Sequence, residues 1–329
     1  MNSHRMILPD EALRLLQPEL EKIRMSEQPA ELYEPIRYIL SLGGKRLRPV
    51  LALMCCSMYR DDVRAVMPAA LAIELFHNFT LLHDDIMDNA PLRRNKPTVH
   101  EKWNANVAIL SGDAMLIKAY ELLACTEKKH LPGVLDVFNR TALEVCEGQQ
   151  YDMNFELRAQ VPEEEYLRMI ELKTAVLLGA AMQTGALCGD APEADIDLLY
   201  KAGRFMGLAF QLQDDWLDSF GDTSTFGKTI GGDIAANKKT WLYIKTLGLA
   251  SARDKQELMD SYASPTINRD EKIQKVTQLF RKYEVDQLAA EKVSAYSASA
   301  LESLAGCSIR SEDLEVFRRL VGDLTNRKT

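Results

Sequence analysis

The sequence predicts an all-α protein, and three observations support this prediction. Hydrophobic residues recur at the three- and four-residue spacing of helices over long stretches, and we find no convincing run of alternating strand residues. Proline is sparse, with 12 in 329 residues and none from Ala69 to Ala90 or from Glu193 to Ser264. No shift in composition marks a linker, so residues 1–329 are expected to form a single domain.

The helices and loops can be placed in order along the chain. One helix should end at Gly43–Gly44, because glycine is common just after a helix, and Pro49 suits the first turn of the next. Residues Pro68–Asp88 are apolar on almost all sides, which indicates a buried helix. Residues Tyr200–Ser219 show the same pattern and meet a helix stop at Gly221. Four segments rich in turn-forming residues are expected to be loops: Asn89–Thr98, Leu157–Pro162, Gly221–Lys239 and Ala263–Asp270.

Composition and charge narrow the class of protein. Hydrophobic residues make up 47% of the chain, which is enough for a large core. The net charge of −8 argues against general nucleic-acid binding, which needs a basic face. The six cysteines have no CxxC spacing, so we expect reduced, buried thiols rather than metal ligands.

The sequence also bears on the location of the protein. Its first residues contain no continuous apolar stretch of the kind found in signal peptides. No apolar run approaches the ~18–20 residues that a membrane-crossing helix needs. We therefore expect a cytoplasmic protein that does not span a membrane.

Two acidic segments with the same pattern point to a functional site. LHDDIMD (82–88) and LQDDWLD (212–218) align without gaps, 130 residues apart. Each segment holds two aspartates one helical turn apart: Asp84 and Asp88, then Asp214 and Asp218. Like charges at this spacing cost about 0.2–0.5 kcal/mol, and carboxylates near a helix C-terminus oppose its dipole. A solvated acidic face would explain one such pair, but two pairs flanked by core residues favour Mg²⁺ sites that hold phosphate groups.

His77 lies on the same helical stripe as the first acidic pair, seven residues before Asp84. A single histidine on an apolar helix is more often a core residue than a ligand. Its place on the acidic stripe raises the functional interpretation to equal weight. Both interpretations stay open from the sequence.

Basic residues cluster near the acidic segments and at one helix start. Lys45, Arg46 and Arg48 crowd a predicted helix N-terminus, whose free N–H groups favour anions. The other clusters are Arg93–Arg94, Lys173–Thr174, Lys228 and Lys238–Lys239. Any one of them alone is consistent with surface residues. Together with two acidic segments, they predict phosphate-rich substrates that are held through Mg²⁺.

Eight motifs follow one another along the chain. They are GGKRLRP (43–49), DDIMD (84–88), RR (93–94), GQxxD (148–152), KT (173–174), FQLQDDWLD (210–218), GK (227–228) and NKK (237–239). In this order they resemble the trans-isoprenyl diphosphate synthases of the polyprenyl synthetase family. A DDxxD motif alone is a weak signal, whereas the ordered set is specific. The resemblance extends from about Glu31 to at least Tyr243.

The resemblance implies a fold and a set of metal ligands. The fold would be a bundle of mostly antiparallel helices around a deep central cavity, with the two aspartate motifs facing each other at its mouth. A homodimer is the implied assembly. Asp84 and Asp88 would bind two Mg²⁺ ions, and Asp214, with Asp218 nearby, would bind a third.

The resemblance also implies two diphosphate substrates. The residues implied for the allylic diphosphate are Arg93, Lys173, Thr174, Gln211, Lys228 and Lys238. Those implied for isopentenyl diphosphate are Lys45, Arg48, His77 and Arg94. Cleavage of the allylic C–O bond gives a carbocation, the C=C bond of isopentenyl diphosphate attacks it, and the departing diphosphate takes the proton that is lost. Gln149 and Asp152 of the GQxxD motif would support the cavity wall.

Product length is expected to depend on residues that precede Asp84. Phe79 lies five residues upstream, about 7.5 Å along a helix axis, and the small Thr80 lies nearly beneath Asp84. The resemblance implies that an aromatic ring here forms a floor, whereas the alternative is that Phe79 simply packs on a neighbouring helix. We expect farnesyl diphosphate (C15), with geranylgeranyl diphosphate (C20) next because Thr80 leaves room beside the ring.

Three other functions remain to be compared with this one. A terpene cyclase shares the aspartate-rich helix but lacks an isopentenyl diphosphate site, and it usually carries a different second metal motif. A regulatory subunit of a prenyl synthase tends to lose one aspartate motif, whereas this chain keeps both. A generic helical cation-binding protein would not need the basic clusters.

Overall fold

A computed structural model describes residues 4–221, 230–264 and 266–325, and most of them are helical. The first helices are α1 Pro9–Glu21, α2 Ala30–Ser41, α3 Leu47–Ser57, α4 Met67–Met87, α5 Val99–Lys102, α6 Ala105–Leu123, α7 Leu131–Leu157 and α8 Glu163–Ile170. They are followed by α9 Val176–Cys188, α10 Glu193–Phe220, α11 Gly232–Ala235, α12 Trp241–Leu249, α13 Ala252–Ala263, α14 Arg269–Lys282, α15 Val285–Ala305 and α16 Ser311–Thr325. The all-α prediction is confirmed.

Most of the predicted helix boundaries agree with the structure, but the start of α10 does not. Helix α4 is displaced by one residue from the predicted span, and α3 begins two residues before Pro49. Helix α10 ends at Phe220, next to the predicted stop, but begins at Glu193 rather than Tyr200. Its first turns carry Glu193, Asp195 and Asp197, which weaken the apolar period there.

The predicted loops contain some regular structure. Segment 89–98 holds a hairpin of two short antiparallel strands, β1 (Leu92–Arg93) and β2 (Lys96–Pro97). Its two turn residues, Arg94 and Asn95, have φ angles of 53° and 60°, as a tight hairpin turn requires. Segment 221–239 contains α11, so the prediction of a continuous loop there is wrong, and residues 222–229 lie outside the described residues.

The chain divides into two compact units. Unit 1 comprises Met1–Arg140, Ala180–Tyr200 and Cys307–Asp313, and unit 2 comprises Thr141–Gly179, Lys201–Gly306 and Leu314–Thr329. The single-domain organisation and the central cavity that were expected from the sequence stay predictions. Within the described ranges, no helix combines the length and the apolar character needed to cross a membrane.

Each unit has an apolar core of its own. In unit 1, α4 is buried on nearly all sides from Met67 to Phe76, as its sequence predicts, and packs against α3 and α6. In unit 2, the buried cluster includes large side chains such as Trp241 and Phe280. Burial of a large apolar side chain stabilises the folded state by roughly 1.5–3 kcal/mol, so each core contributes substantially to folding.

A buried ion pair ties the start of α3 to α4 within unit 1. The Arg46 guanidinium donates to the Glu74 carboxylate and, at 2.5 Å, to the carbonyl of Leu40. Asn78 Nδ2 donates to the same carboxylate oxygen of Glu74 at 2.8 Å. Arg46 and Glu74 are both buried, and each provides the opposite charge without which burial of the other would be energetically costly.

The first prediction concerns this pair. Glu74→Ala should lower the free energy of unfolding by about 3–5 kcal/mol, because it leaves the Arg46 charge buried without its partner. Urea unfolding followed by circular dichroism measures the loss. Glu19→Ala is the matched control, since the exposed Glu19–Lys22 pair should contribute at most about 1 kcal/mol. Equal losses in the two variants would contradict the assignment.

Candidate active site

The first aspartate motif ends helix α4, as the sequence predicts. Asp84 and Asp88 are half-buried, and the Asp88 amide donates to the Asp84 carbonyl at 2.8 Å, which closes the last helical turn. The two carboxylates therefore lie one turn apart at the negative end of the helix dipole. This arrangement costs helix stability and suits the binding of a cation.

Asp85, which the sequence interpretation left without a role, is buried between these two residues. Arg93 Nε donates to both of its carboxylate oxygens at 2.9 Å, and Arg93 Nη2 lies 3.6 Å from Asp84 Oδ2. Burial raises the pKa of Asp85, and the hydrogen bond from Arg93 opposes the shift. Asp85 thus holds the Arg93 guanidinium beside Asp84. The role of Arg93 in binding the allylic diphosphate stays a prediction.

The glycines of GGKRLRP allow the hairpin to approach closely. The Arg94 guanidinium donates to the Gly43 carbonyl. The φ of Gly44 is +123°, which strains any larger residue, and a Cβ atom there would lie 2.5 Å from Arg94 Nη2. Lys45 is exposed on this turn. Two of the residues predicted for isopentenyl diphosphate, Lys45 and Arg94, therefore belong to one local structure.

Arg48 and His77, two more of these residues, are in direct contact. Arg48 Nη1 donates to His77 Nε2 at 3.1 Å. Burial and the adjacent Arg48 charge lower the pKa of His77 well below its ordinary value, so the ring is neutral and accepts at Nε2. Burial also lowers the pKa of Arg48, to about 10. This contact favours the functional interpretation of His77 over that of an isolated core residue.

The residues predicted to control product length lie on α4 between His77 and the aspartates. Thr80 Oγ1 donates to the His77 carbonyl at 2.8 Å, which satisfies the hydroxyl within the helix. Phe79 is half-buried, and its ring contacts the rings of Phe76 and His83. Both of these ring contacts are within α4.

In unit 2, the Lys173–Thr174 pair lies in a π-helical turn, Glu171–Ala175, between α8 and α9. The sequence predicts a helix here but not the π-turn, which often marks functional sites. Lys173 Nζ donates to Asp152 Oδ2 at 2.6 Å, and Thr174 Oγ1 donates to Gln211 Oε1 at 3.1 Å. Both predicted diphosphate residues are held in place by side chains from neighbouring helices.

The π-turn is packed closely against glycines on those helices. A Cβ atom on Gly148, in the GQxxD motif, would lie 2.3 Å from the backbone nitrogen of Lys173. A Cβ atom on Gly207 of α10 would lie 2.4 Å from Ala175 Cα. Only glycine permits these backbone approaches, which explains why the GQxxD motif begins with one.

The second aspartate motif lies near the end of α10. Asp215 is buried and accepts hydrogen bonds from the Tyr166 hydroxyl and, at 3.3 Å, from Gln211 Nε2. Burial, followed by the charge of Asp233, raises the pKa of Asp215 well above its ordinary value. Neither Tyr166 nor this role of Asp215 could be predicted from the sequence, because α8 carries no motif that marks the tyrosine.

The two outer aspartates of this motif differ in burial. Asp214 is half-buried, whereas Asp218 is buried and its Oδ2 accepts from the Asp233 amide at 2.9 Å. The Gly231 amide also donates to the Asp218 carbonyl, at 2.6 Å. The segment around α11 is thereby attached to the end of α10.

The remaining basic residues have distinct surroundings. Lys238 is half-buried, and its amide donates to the Asp233 carbonyl at 2.9 Å. Lys239 Nζ donates to the carbonyls of Phe155 and Glu156, at 2.8 and 3.1 Å, and so caps the end of α7. Lys228 lies outside the described residues.

The predicted site residues fall into two sets. Those in unit 1 are Lys45, Arg48, His77, Phe79, Thr80, Asp84, Asp88, Arg93 and Arg94. Those in unit 2 are Lys173, Thr174, Gln211, Asp214, Asp218 and Lys238. Each unit thus holds one aspartate motif together with basic groups.

The donor atoms of both motifs are carboxylate oxygens, which suit a hard cation such as Mg²⁺. Asp84, Asp88 and Asp214 are half-buried, so part of each residue is exposed to solvent. In the part of the chain that the structure describes, no group of three or more His, Cys, Asp or Glu side chains forms a metal site by itself. The residues present fit Mg²⁺ with further ligands from phosphate oxygens.

Comparisons with known proteins agree with one another. Residues 29–281 match the polyprenyl synthetase family. The geranylgeranyl diphosphate synthase of Methanosarcina mazei is 44% identical over 219 residues, which cover 66% of this chain and 68% of that protein. A crystal structure of a geranylgeranyl pyrophosphate synthase is 45% identical, with a TM-score of 0.94 over 98% of this chain and 100% of that chain. A polyprenyl synthase of Caulobacter crescentus CB15, complexed with calcium and isoprenyl diphosphate, is 26% identical, with a TM-score of 0.87 over 99% of each chain.

The second prediction tests the close contact between Gly148 and the π-turn. Gly148→Ala should destabilise the protein by about 1–3 kcal/mol, because the added methyl group meets the backbone of Lys173. It should also lower turnover, since Lys173 and Thr174 must shift. Gly133→Ala in the same helix is the control, because its methyl group would make only ordinary contacts at 3.7 Å. Thermal unfolding and steady-state assays of both variants check this, and an unaltered Gly148→Ala enzyme would contradict it.

Proposed function

The chain belongs to the polyprenyl synthetase family, and from this premise we propose that it is an Mg²⁺-dependent synthase of geranylgeranyl diphosphate. It acts as a short-chain trans-prenyltransferase, which condenses isopentenyl diphosphate with an allylic diphosphate. The observation that supports this most is the pair of half-buried carboxylates, Asp84 and Asp88, beside a guanidinium that Asp85 holds in place. This combination suits a diphosphate that is bound through a metal ion.

The metal ions would be held by the two aspartate motifs. Asp84 and Asp88 would bind two Mg²⁺ ions, and Asp214 with Asp218 a third. When bound, Mg²⁺ supplies positive charge that stabilises the diphosphate leaving group. The protein places carboxylates that the helix dipole already disfavours, so cation binding relieves an unfavourable interaction.

The basic residues would divide between the two substrates. Lys173, Thr174, Gln211, Lys228 and Lys238, with Arg93 from unit 1, would stabilise the allylic diphosphate as its charge develops. Lys45, Arg48, His77 and Arg94 would orient isopentenyl diphosphate. Because neutral His77 accepts one N–H of Arg48, it fixes the direction in which the other guanidinium N–H groups point. The departing diphosphate accepts the proton that is lost in the last step.

The proposed product is C20 rather than the C15 expected from Phe79 alone. The relative from Methanosarcina mazei and the crystal structure described above are both geranylgeranyl diphosphate synthases. Phe79 packs on Phe76 and His83 of its own helix, so the size of its ring does not by itself measure the space left for the product. A homodimer and a cytoplasmic location, both expected from the sequence, stay predictions.

The third prediction tests the function and the metal ligands together. The enzyme should convert isopentenyl diphosphate and an allylic primer, assayed from C5 to C15 with Mg²⁺, mainly to a C20 product separated by length. Asp84→Ala should reduce turnover by about 10²–10³-fold, since charge stabilisation of the leaving group is lost. Its fold should persist, because removing this carboxylate removes an unfavourable interaction with the helix dipole.

Asp113→Ala provides the control for this test, because Asp113 is an exposed acidic residue on α6. It should keep wild-type turnover. Full activity in a folded Asp84→Ala variant would rule out the metal assignment. A cyclised hydrocarbon instead of a longer diphosphate would indicate a terpene cyclase, and the absence of any product would indicate a regulatory subunit.

The fourth prediction concerns the floor of the product site. Phe79→Ala should lengthen the products by at least one isoprene unit, because the aromatic ring that limits the chain is removed. Separation of the products by length measures the shift. An unchanged distribution would place the floor elsewhere.

A further inference from the structure

His83 precedes the first aspartate of its motif, but the proposed mechanism gives it no role. It lies four residues after Phe79 on α4, and Phe76 lies three residues before Phe79. Residues at this spacing share one face of a helix. Phe79 is therefore the middle member of a row of three rings.

The three rings are in contact. The His83 and Phe79 ring centroids are 4.7 Å apart with the planes at 63°, an edge-to-face arrangement. The Phe76 and Phe79 centroids are 5.7 Å apart, and the fully buried Phe76 is itself packed edge-to-face on Phe138 at 5.3 Å. The Phe79 ring thus packs on a fully buried core residue and on His83.

His83 is in turn fixed by helix α6. Its Nε2 lies 3.2 Å from the Ile109 carbonyl, so Nε2 carries the hydrogen and donates it. A Cβ atom on Gly112, one turn further along α6, would lie 2.3 Å from His83 Nε2 and 2.7 Å from His83 Cδ2. The imidazole therefore occupies the space that glycine leaves on α6. Any larger residue at position 112 would push it away.

We propose that His83 is a positioning residue for product length, which holds the ring of Phe79 in place by bracing it against α6 at Gly112. This inference rests on the proposed function and on Phe79 as the floor. The imidazole is suited to the task because one edge packs on the phenyl ring while its N–H anchors it to a carbonyl. In this arrangement α6 contributes to product length although none of its residues is among the predicted site residues.

The experiment compares product distributions of His83→Ala, Gly112→Ala, the double variant and Phe79→Ala with wild type. His83→Ala should raise the ratio of products longer than the wild-type product about 2- to 10-fold, the range expected when one aromatic contact is lost. Gly112→Ala should shift the ratio in the same direction, because the new methyl group displaces the imidazole while His83 is still present. This second variant keeps the test valid if His83→Ala folds poorly.

The double variant separates positioning from a general structural role. If Gly112 acts through His83, the double variant should give the same product ratio as His83→Ala, whereas independent effects would add. Additive shifts would overturn the proposal. The Michaelis constants for both substrates should remain close to wild type, because a distorted metal site would change them.

The remaining outcomes distinguish failure of this inference from failure of the proposed floor or of the proposed function. Longer products from Phe79→Ala with an unchanged ratio in His83→Ala would overturn this inference and leave the floor intact. Unchanged products in both variants would remove the floor as well, while activity of the wild-type enzyme would still support the proposed function. Absence of wild-type activity on every primer would overturn the function itself.

Discussion

The buried ion pair between Arg46 and Glu74 is the interaction on which the site in unit 1 depends. A buried charge without a partner costs several kcal/mol, so this pair fixes the start of α3 against the middle of α4. Two residues after Arg46, Arg48 then meets His77, which lies three residues after Glu74. The same α4 continues through Phe79 to the aspartates. One structural pair therefore sets the relative positions of groups proposed for substrate binding and for product length.

The two aspartate motifs share one arrangement of side chains, although the partner residues differ. In both, the second aspartate is buried and bound by protein groups, Arg93 for Asp85 and Tyr166 with Gln211 for Asp215. The first aspartate of each motif is half-buried. The second aspartate of each motif thus binds neighbouring side chains, whereas the first is only half-buried and is proposed to bind a cation. LHDDIMD and LQDDWLD are therefore similar both in sequence and in the surroundings of their first and second aspartates.

Close backbone packing plays the corresponding role in unit 2. Gly148 and Gly207 admit the π-turn between their helices, and Asp152 and Gln211 then bind Lys173 and Thr174. The turn is held on both sides by contacts that only glycine allows. Basic side chains that must stabilise developing charge are more effective when they are already in position, because little reorganisation is then needed.

The sequence by itself determined the all-α class, the ends of α2, α4 and α10, and the two acidic pairs. These features depend on local hydrophobic period, helix stops and residue spacing, which act within one segment. Only the tertiary structure decided that Arg46 is structural whereas Arg48 contacts His77, that Asp85 binds Arg93, and that Lys173 lies in a π-turn. It also decided that His83 lies against Gly112. These contacts join residues from different elements, and whether a charge or a ring is buried there depends on which helices pack together, which no local pattern encodes.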